Sequence, residues 1–380
     1  MWQSLQFTLG RLSVSPANLD DSDVADCLFD VKAYLRCYLL YCFYGRVMRN
    51  PMTNQHEMLD IIIPAYKKRF LPILLDSITK QTSKRFRVIV ADDASPDDIK
   101  ATCDKYSALY PLRYVRFEDN LGAVDLAGHW NRAVAISDAE WVLLPGDDDV
   151  LEPNCVSAFW ETLIGSQKSP EVFSFGVRIV NEFNEVIREN KPAEVADSAE
   201  FLLQRFEGKL SPMPVGYIFS RKAFDRCGGF VSFDKGWHSD DASWARFCTL
   251  FGISPINDAF VRWRISSFNI SPFMQKNAFR RTCASIEFVS WLIKSSEFLE
   301  MSDDQIRGVI SKVDYWSWYS GISEAPLLSK WAFAAWHASL VLGKCTEVSF
   351  IRHIFRFSRC KFSRFLALLR NEWVMRRRTG

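Results

Sequence analysis

The sequence predicts an α/β fold with a mostly parallel central sheet and helical extensions at both ends. From residue 59 onward, short apolar runs alternate with segments of helical periodicity. This rhythm is typical of βαβ units, whose right-handed crossovers build parallel sheets. The chain has 380 residues, of which 48% are hydrophobic, so it holds enough apolar side chains for a large core.

The alternating region contains the predicted elements of the sheet. Strands are predicted over residues 59–63, 86–91, 112–117 and 140–144, and helices over residues 70–79, 97–109 and 129–136. The first strand is a β-branched run closed by Pro64, and the fourth is an apolar run that ends at a Pro-Gly turn signal. The later part of the domain is predicted to contain strands over 172–178 and 215–219 and a helix over 240–252.

Three regions follow from these patterns. Residues 1–57 are predicted to form a helical N-terminal extension, residues 58–275 the α/β domain, and residues 276–380 a helical C-terminal region. Ser302 and Gln305 have the spacing of a capping box, which marks a helix start. Aromatic and basic residues mix at helical spacing across 350–370, and this basic amphipathic tail either docks on an anionic membrane surface or packs on the core.

Composition and charge argue against several classes of protein. A net charge of +2 gives no reason to expect a nucleic-acid partner. The ten cysteines form no CxxC pair and no zinc-type cluster, so we expect reduced thiols and a cytoplasmic location. Alternatively, the basic tail anchors the protein peripherally on the inner face of the plasma membrane. Acidic residues occupy the region where a signal peptide would be apolar, namely Asp20, Asp21, Asp23 and Asp26. No uncharged run reaches the roughly 20 residues of a membrane-spanning helix.

The segment Gly146-Asp147-Asp148-Asp149 is the strongest candidate for a functional site. It follows a buried strand, so its carboxylates would gather at the carboxyl edge of the sheet, where α/β proteins bind ligands. Clustered carboxylate oxygens suit hard cations such as Mg²⁺ or Mn²⁺. Asp147 and Asp149 are the natural pair, because alternate residues of an extended segment point the same way. An acidic surface turn is the alternative.

Two other predicted strands also end in polar residues. Pro64, Ala65 and Tyr66 follow the first strand, and Asp92 and Asp93 follow the second. An exposed tyrosine can stack on a planar ring, and a carboxylate can accept a ring N–H. Alternatively, Tyr66 packs in the core and the two acids form an Asx turn or a helix cap.

A second acidic pair, Asp240 and Asp241, opens the predicted helix 240–252. A positioned carboxylate can take the proton of a hydroxyl group that is too weak an acid to lose it unaided. Trp237 and Trp244 flank the pair and could stack on a sugar ring, and His238 could bind a hydroxyl group. Helix capping by the acids and core packing of the tryptophans are the alternatives.

Together these segments resemble the family 2 glycosyltransferases, inverting enzymes with the GT-A (nucleotide-diphospho-sugar transferase) fold and a DXD metal motif. The similarity covers roughly residues 58–270 and includes residues 62–66, 88–95, 120–122, 131–133, 146–149, 239–246 and 261–266. Ser239 stands where the family usually has glutamate.

The resemblance implies a role for each segment. The implied cofactor is Mn²⁺ or Mg²⁺, with Asp149 in direct contact and Asp147 reaching the metal or the donor. The implied donor-binding residues are Pro64, Ala65, Tyr66, Asp92, Asp93, Asn131, Asp147, Asp148 and Arg264, with Asp93 preferred over Asp92 for the base. Asp240, or its neighbour Asp241, is implied as the catalytic base, and Trp237, His238 and Trp244 as acceptor contacts.

The implied activity is metal-dependent, inverting transfer of a sugar from a nucleotide-diphosphate sugar to an acceptor hydroxyl. The acceptor would be a glycan or a lipid-linked sugar in bacterial surface polysaccharide assembly. Two alternatives stay open, a catalytically inactive sugar-nucleotide-binding protein of the same fold and a membrane-surface assembly protein. A nucleotidyltransferase would need a glycine-rich loop after the first strand, where the chain instead has Lys67-Lys68-Arg69.

Overall fold

The computed structural model describes residues 58–166, 169–266 and 278–320, and within the last range it describes the side chains of residues 284–313. The predicted extension 1–57, the predicted domain boundary at 275 and the basic amphipathic tail lie outside these residues. The described helices are α1 Leu71–Thr79, α2 Ile99–Asp104, α3 Leu126–Ala135, α4 Cys155–Gly165, α5 Ser198–Phe206, α6 Arg221–Cys227, α7 Ser239–Phe247, α8 Ala278–Lys294 and α9 Asp303–Ser320.

A nine-stranded sheet forms the centre of the domain, in the order β3-β2-β1-β4-β8-β6-β9-β5 with β7 beside β6. The strands are β1 Leu59–Ala65, β2 Arg87–Asp92, β3 Leu112–Arg116, β4 Trp141–Leu143, β5 Val150–Leu151, β6 Val172–Val180, β7 Val186–Asn190, β8 Tyr217–Ser220 and β9 Ser254–Arg264. The first four strands are parallel, as predicted. β8 then runs antiparallel to β4, so the second half of the sheet is mixed.

Both faces of the sheet are buried, which explains why its strands read as continuous apolar runs. Ile61 and Ile63 of β1 belong to one core cluster, together with residues of α1 and α4. Ile62 points to the other face and belongs to the second cluster, with residues of α3 and α5 to α9. This alternation is the two-residue period of a strand with helices on each side.

Several elements of the second half were not predicted from the sequence. These are the helices α4, α5 and α6 and the strands β5, β7 and β9. β7 exposes four of its five residues, so it lacks the apolar run that marked the other strands. The predicted helix over 97–109 is shorter in the structure, where Asp98 caps the start of α2 by accepting a hydrogen bond from the backbone of Ala101 at 2.9 Å.

The predicted capping box is confirmed at the start of α9. The Ser302 backbone N–H donates to Gln305 Oε1 at 2.8 Å, and the Gln305 N–H donates to Ser302 Oγ at 3.3 Å. The four cysteines with described side chains, Cys103, Cys155, Cys227 and Cys248, are free thiols. In the part of the chain that the structure describes, no helix is both long and apolar enough to cross a lipid bilayer.

Candidate active site

The acidic motif folds as a tight turn after β4. The Asp149 N–H donates to the Gly146 carbonyl at 3.2 Å, and the Gly146 N–H donates to Asp149 Oδ2 at 2.7 Å. A Cβ atom at position 146 would lie 3.3 Å from both Asp148 Oδ1 and Asp149 Oδ2, so these two carboxylates meet above the glycine. The premise that the segment is extended is therefore wrong, and the turn groups Asp148 with Asp149.

Burial and mutual repulsion make these carboxylates costly to ionise. Burial, then the charge of Asp148, raises the pKa of Asp147 to about 6. The same two causes raise the pKa of Asp149 well above its usual value. Asp149 Oδ1 is buried without a hydrogen-bond partner among the described residues. A buried anionic oxygen without a partner is the kind of atom that a cation would satisfy.

The donor set suits a cation that takes few protein ligands. Among the described residues, no group of three or more histidine, cysteine or acidic side chains forms a complete metal site. Mg²⁺ is often held by one or two carboxylates, with substrate phosphates and water filling the other positions. The convergence of Asp148 and Asp149 over Gly146 therefore fits a cation that binds together with a diphosphate.

Asp147 ties the acidic turn to the end of β1. Its Oδ2 accepts hydrogen bonds from the backbone N–H groups of Tyr66 at 2.8 Å and Lys67 at 2.6 Å. These bonds hold the segment after Pro64 and Ala65 against the acidic turn, while the side chain of Tyr66 remains 38% exposed. The exposed ring keeps the predicted stacking role open and argues against core packing of Tyr66.

The two acids after β2 both accept hydrogen bonds from protein groups. Asp92 accepts hydrogen bonds from the Tyr114 hydroxyl at 2.5 Å, from Arg116 at 2.7 Å and from the Ser95 N–H at 2.8 Å. It has no exposed surface, so its predicted contact with the donor is corrected to a structural role.

Asp93 holds the segment that follows β3. It accepts from the N–H groups of Leu121 at 3.1 Å and Gly122 at 2.8 Å, and it forms an ion pair with Arg132. A carboxylate offers about four acceptor positions. Three of these positions are used by Leu121, Gly122 and Arg132, and recognition of a base by Asp93 stays a prediction. A Cβ on Gly122 would lie 2.6 Å from Asp93 Oδ2, so only glycine permits this close approach.

Asn131 has a structural role instead of the predicted contact with the donor. Its Nδ2 donates to the Phe230 carbonyl at 3.0 Å, and its Oδ1 accepts from the Phe230 N–H at 2.7 Å. Both ends of the amide are therefore used to attach α3 to the turn after α6. Its neighbours Arg132 and His129 contact Asp93, a role that the sequence did not predict.

Arg264 is also corrected, because its side chain is completely buried at the end of β9. Its guanidinium donates to the backbone carbonyls of Asp148 at 3.0 Å and Asn181 at 3.0 Å. It therefore supports the acidic turn from inside the protein and is not placed to close over a ligand.

Asp240 and Asp241 begin α7 and have different surroundings. Asp241 Oδ1 accepts from Arg205 Nε at 2.7 Å, and Asp241 Oδ2 lies 2.9 Å from His238 Nδ1. Burial acts to raise the pKa of Asp241, but Arg205 and His238 outweigh it, so this pKa is lowered. Asp240 is half-buried, and burial followed by the charge of Asp241 raises its pKa to about 8.

The aromatic residues around this pair do not share one role. Trp244 is fully buried, stacks on Tyr217 with ring centroids 4.5 Å apart and donates to the Pro212 carbonyl at 2.7 Å. Its predicted stacking on a sugar is therefore wrong, because no part of its ring is accessible. His238 is buried too, with Nε2 3.0 Å from Ser285 Oγ, so an acceptor contact is corrected to a supporting role. Trp237 is half-buried, and its acceptor role stays a prediction.

The helix that Asp240 begins packs against the strand next to the acidic turn. Leu143 of β4 pairs with Ile218 of β8 in antiparallel register, so Tyr217 lies beside the chain that leads into the acidic turn. Trp244 stacks on Tyr217, and Asp240 lies one turn earlier on the same face of α7. Asp240 is thus two contacts away from the strand that leads into the acidic turn, and the predicted convergence of the acids stays a prediction.

A second connection joins Asp240 to the end of β2. The loop before α7 contacts the turn that Asp93 holds, because Lys235 Nζ donates to the Ala123 carbonyl. Ser232 Oγ also donates to Asp125 Oδ1 at 2.5 Å, at the start of α3. The strand ends and the start of α7 therefore surround one side of the sheet.

Comparison with known proteins agrees with this architecture. The model of the glycosyl transferase family 2 matches residues 60–228. A protein described as an uncharacterized glycosyltransferase of Haemophilus influenzae is 30% identical over 178 residues, which are 45% of this chain and 56% of that protein. Glycosyltransferase GlyG of Streptococcus pneumoniae serotype 4 is 23% identical over 106 residues, which are 28% of this chain and 35% of GlyG. The match thus spans about half of the first relative's length and about a third of the second's.

Solved structures share the fold. The structure of S. aureus TarS residues 1–349 in complex with UDP-GlcNAc superposes with a TM-score of 0.57 and 13% identity, covering 76% of this chain and 81% of that one. The complex of the same protein with UDP gives a TM-score of 0.55 at 14% identity, over 75% of this chain and 80% of that one. At such low identity the likeness concerns the fold, which is GT-A. The resemblance found in the motifs is thereby confirmed over residues 60–228, which match the model of the glycosyl transferase family 2.

Proposed function

We propose that the protein transfers a sugar from a nucleotide-diphosphate sugar to an acceptor hydroxyl, in a single displacement that inverts the anomeric centre. The observation that carries the proposal is the surroundings of two acids, Asp149 and Asp240. Asp149 has a buried oxygen without a partner among the described residues, and Asp240 is the acid of its pair for which the described residues provide no ion pair. Inversion is carried over from the family.

Asp148 and Asp149 are the residues that would hold Mn²⁺ or Mg²⁺. When bound, the cation supplies charge neutralisation for the diphosphate as it leaves the sugar. Asp147 keeps the end of β1 against the acidic turn through its bonds to Tyr66 and Lys67. Arg264 fixes the backbone of Asp148 from the other side, so the turn is held before a ligand binds.

The donor's base is proposed to bind at the end of β1. The exposed ring of Tyr66 offers a stacking surface, and both neighbouring backbone groups of this residue are fixed. Its N–H donates to Asp147, and its carbonyl accepts from Ser95 Oγ at 2.5 Å. A ring held in this way loses little freedom when a ligand binds.

The acceptor's proton is proposed to go to Asp240. A sugar hydroxyl is a very weak acid, so its proton must leave as the new bond forms, and a base with a pKa near the operating pH does this best. The raised pKa of Asp240, about 8, meets this condition. Asp241 is a poorer base, because Arg205 and His238 stabilise its charged form.

We infer an acceptor that is a glycan or a lipid-linked sugar of a bacterial surface polysaccharide, used in the cytoplasm or at the inner face of the plasma membrane. The named relatives come from bacteria, and TarS was solved with UDP-GlcNAc, so UDP-GlcNAc is the first donor to test.

A screen of nucleotide sugars by thermal unfolding tests the donor half of the proposal. A ligand that binds the folded state raises the melting temperature. We expect UDP-GlcNAc or another nucleotide-diphosphate sugar to raise it more with Mn²⁺ than with EDTA, and the same donor to be hydrolysed slowly to the nucleoside diphosphate. If no nucleotide sugar stabilises the protein and none is turned over, the proposal is wrong.

A further inference from the structure

Residues from three helices form a hydrogen-bonded network around the carboxylate of Asp241. Arg205 reaches it from α5 at 2.7 Å, and His238, which directly precedes α7, reaches it at 2.9 Å. Ser285 of α8 holds the other nitrogen of His238 through an Oγ to Nε2 distance of 3.0 Å. Both oxygens of Asp241 are therefore bound by side chains from outside its own helix.

The conformation of His238 shows that this arrangement is tightly determined. Its φ is +65°, in the left-handed region that non-glycine residues seldom adopt. The ring lies nearly parallel to Phe288 of α8, with centroids 4.9 Å apart, and its centroid is 5.8 Å from that of Phe206 of α5. Contacts from two other helices thus orient the histidine that contacts Asp241.

Asp240 has a different environment, although it is the adjacent residue. Within the described part of the chain, its side chain accepts one hydrogen bond, from the Asp241 N–H at 2.9 Å. The cation of Arg205 contacts Asp241 and not Asp240. The pair is therefore asymmetric, with one carboxylate fixed in an ion pair and one available.

We propose that Arg205 is a positioning residue for the reaction, because its ion pair keeps Asp241 as a fixed carboxylate and leaves Asp240 to take the acceptor's proton. This inference rests on the proposed function only in the role that it gives Asp240. The asymmetry itself is a property of the folded protein and can be measured without a substrate.

The charges around Asp240 define the expected pH dependence. The groups that face it are Asp241 and His238 from its own segment, Arg205 from α5 and Tyr217 from β8. Arg205 lowers the proton affinity of both acids. Without this cation, the two carboxylates would repel each other unopposed and hold a proton up to a higher pH.

A substrate-free experiment compares wild type with Asp240→Asn by thermal unfolding between pH 4 and 10. The pKa of Asp240 in the folded protein lies above its unfolded value of about 3.9, so its ionisation destabilises the folded state. Wild type should therefore lose stability relative to Asp240→Asn as the pH rises, and the loss should stop near pH 8. In an Arg205→Gln background we expect the loss to continue for about one further pH unit or more.

Arg87→Gln provides the matched control background. Arg87 also pairs with a fully buried carboxylate at 2.7 Å, that of Asp60, but at the opposite end of β1. The end point near pH 8 should not move in this background. An end point that stays near pH 8 in Arg205→Gln would overturn the inference, as would an equal shift in both backgrounds. If Arg205→Gln does not fold, Arg205→Lys keeps a cation without the planar fork, and we expect a smaller shift in the same direction.

Activity measurements with the donor found in the stabilisation screen distinguish a failure of the inference about Arg205 from a failure of the proposed function. In Arg205→Gln we expect kcat to rise at a higher pH than in wild type. Activity lost at pH 7 should therefore return at pH 9, and the donor KM should stay unchanged. Full activity of Asp240→Asn would refute the role of Asp240 and leave the measured asymmetry intact. An inactive Asp240→Asn with an unshifted Arg205→Gln profile would refute only the role of Arg205.

Discussion

The two pairs of adjacent aspartates, Asp92–Asp93 and Asp240–Asp241, are alike in sequence but differ in the structure. Both members of the first pair are saturated with donors, namely backbone N–H groups, a tyrosine and two arginines. In the second pair, Asp241 has a side-chain partner on each oxygen, whereas Asp240 has one backbone donor among the described residues. Saturated acids hold loops in place, whereas an acid that lacks donors keeps its capacity to bind a proton.

This difference teaches that a carboxylate's role is set by its partners and not by its place in a motif. The same rule separates the acids of the turn after β4. Asp147 is bound by two backbone N–H groups, whereas Asp149 has an oxygen without a described partner. The four predictions below test the rule, starting from the largest expected effect.

Replacement of Asp240 by asparagine should give the largest effect. We expect transfer to fall by about 10²- to 10⁴-fold, because the acceptor's proton loses its base. The melting temperature shift caused by the donor should stay the same, since Asp240 is proposed to act on the acceptor side. Asp225→Asn, which alters an exposed acid of α6, is the control and should keep full activity. A fully active Asp240→Asn would contradict the proposal that Asp240, unlike Asp92 and Asp93, acts in the reaction.

Asp92→Asn should act on stability instead. The change removes the charge that Arg116, Tyr114 and the Ser95 N–H share, in a fully buried position. We expect a loss of about 3 kcal/mol in the free energy of unfolding, measured with urea. Asp138→Asn breaks an exposed ion pair with Arg87 and should cost less than about 1 kcal/mol. Equal losses in the two variants would contradict the assignment of Asp92 to the framework.

Asp149→Asn should abolish the effect of Mn²⁺ on donor binding. Wild type with donor at a hundredfold excess over its Kd gains about 2.7 kcal/mol in stability, and the variant should lose most of this gain. Without donor, the variant should melt no lower than wild type, because a buried and repelled negative charge has been removed. Asp104→Asn, on the exposed surface, is the control for both measurements. A variant that still responds to Mn²⁺ would exclude Asp149 as a ligand.

Trp244→Phe should give the smallest effect and should concern the support beneath Asp240. The change leaves the Pro212 carbonyl without its donor and opens a small cavity beside Tyr217. We expect a loss of about 2 kcal/mol in the free energy of unfolding with the acceptor KM unchanged. Trp237→Phe is the partner experiment, because Trp237 is half-buried and should change the acceptor KM instead. If Trp244→Phe raised the acceptor KM and Trp237→Phe did not, the result would support the predicted contact between Trp244 and a sugar.

Prediction from the sequence succeeded where local signals are strong. The apolar runs of β1, β2 and β4, the polar residues at their ends and the capping box at Ser302 all involve neighbours in the chain. It failed for β9, which pairs with β6 across about 80 residues, and for Arg264, whose burial follows from that pairing. β9 has no continuous apolar run, and its pairing with β6 depends on contacts that its own residues do not encode.

The amino-acid sequence alone determined the α/β class, the first four strands and the set of acids from which the site is built, because these depend on hydrophobic period and on residues next to strand ends. Only the tertiary structure decided which acid of each set is available. Arg205 lies 36 residues from Asp241, and Arg132 lies 39 residues from Asp93. Those partners neutralise one carboxylate and not its neighbour, and electrostatic interactions of this kind depend on distances in space that no local pattern encodes.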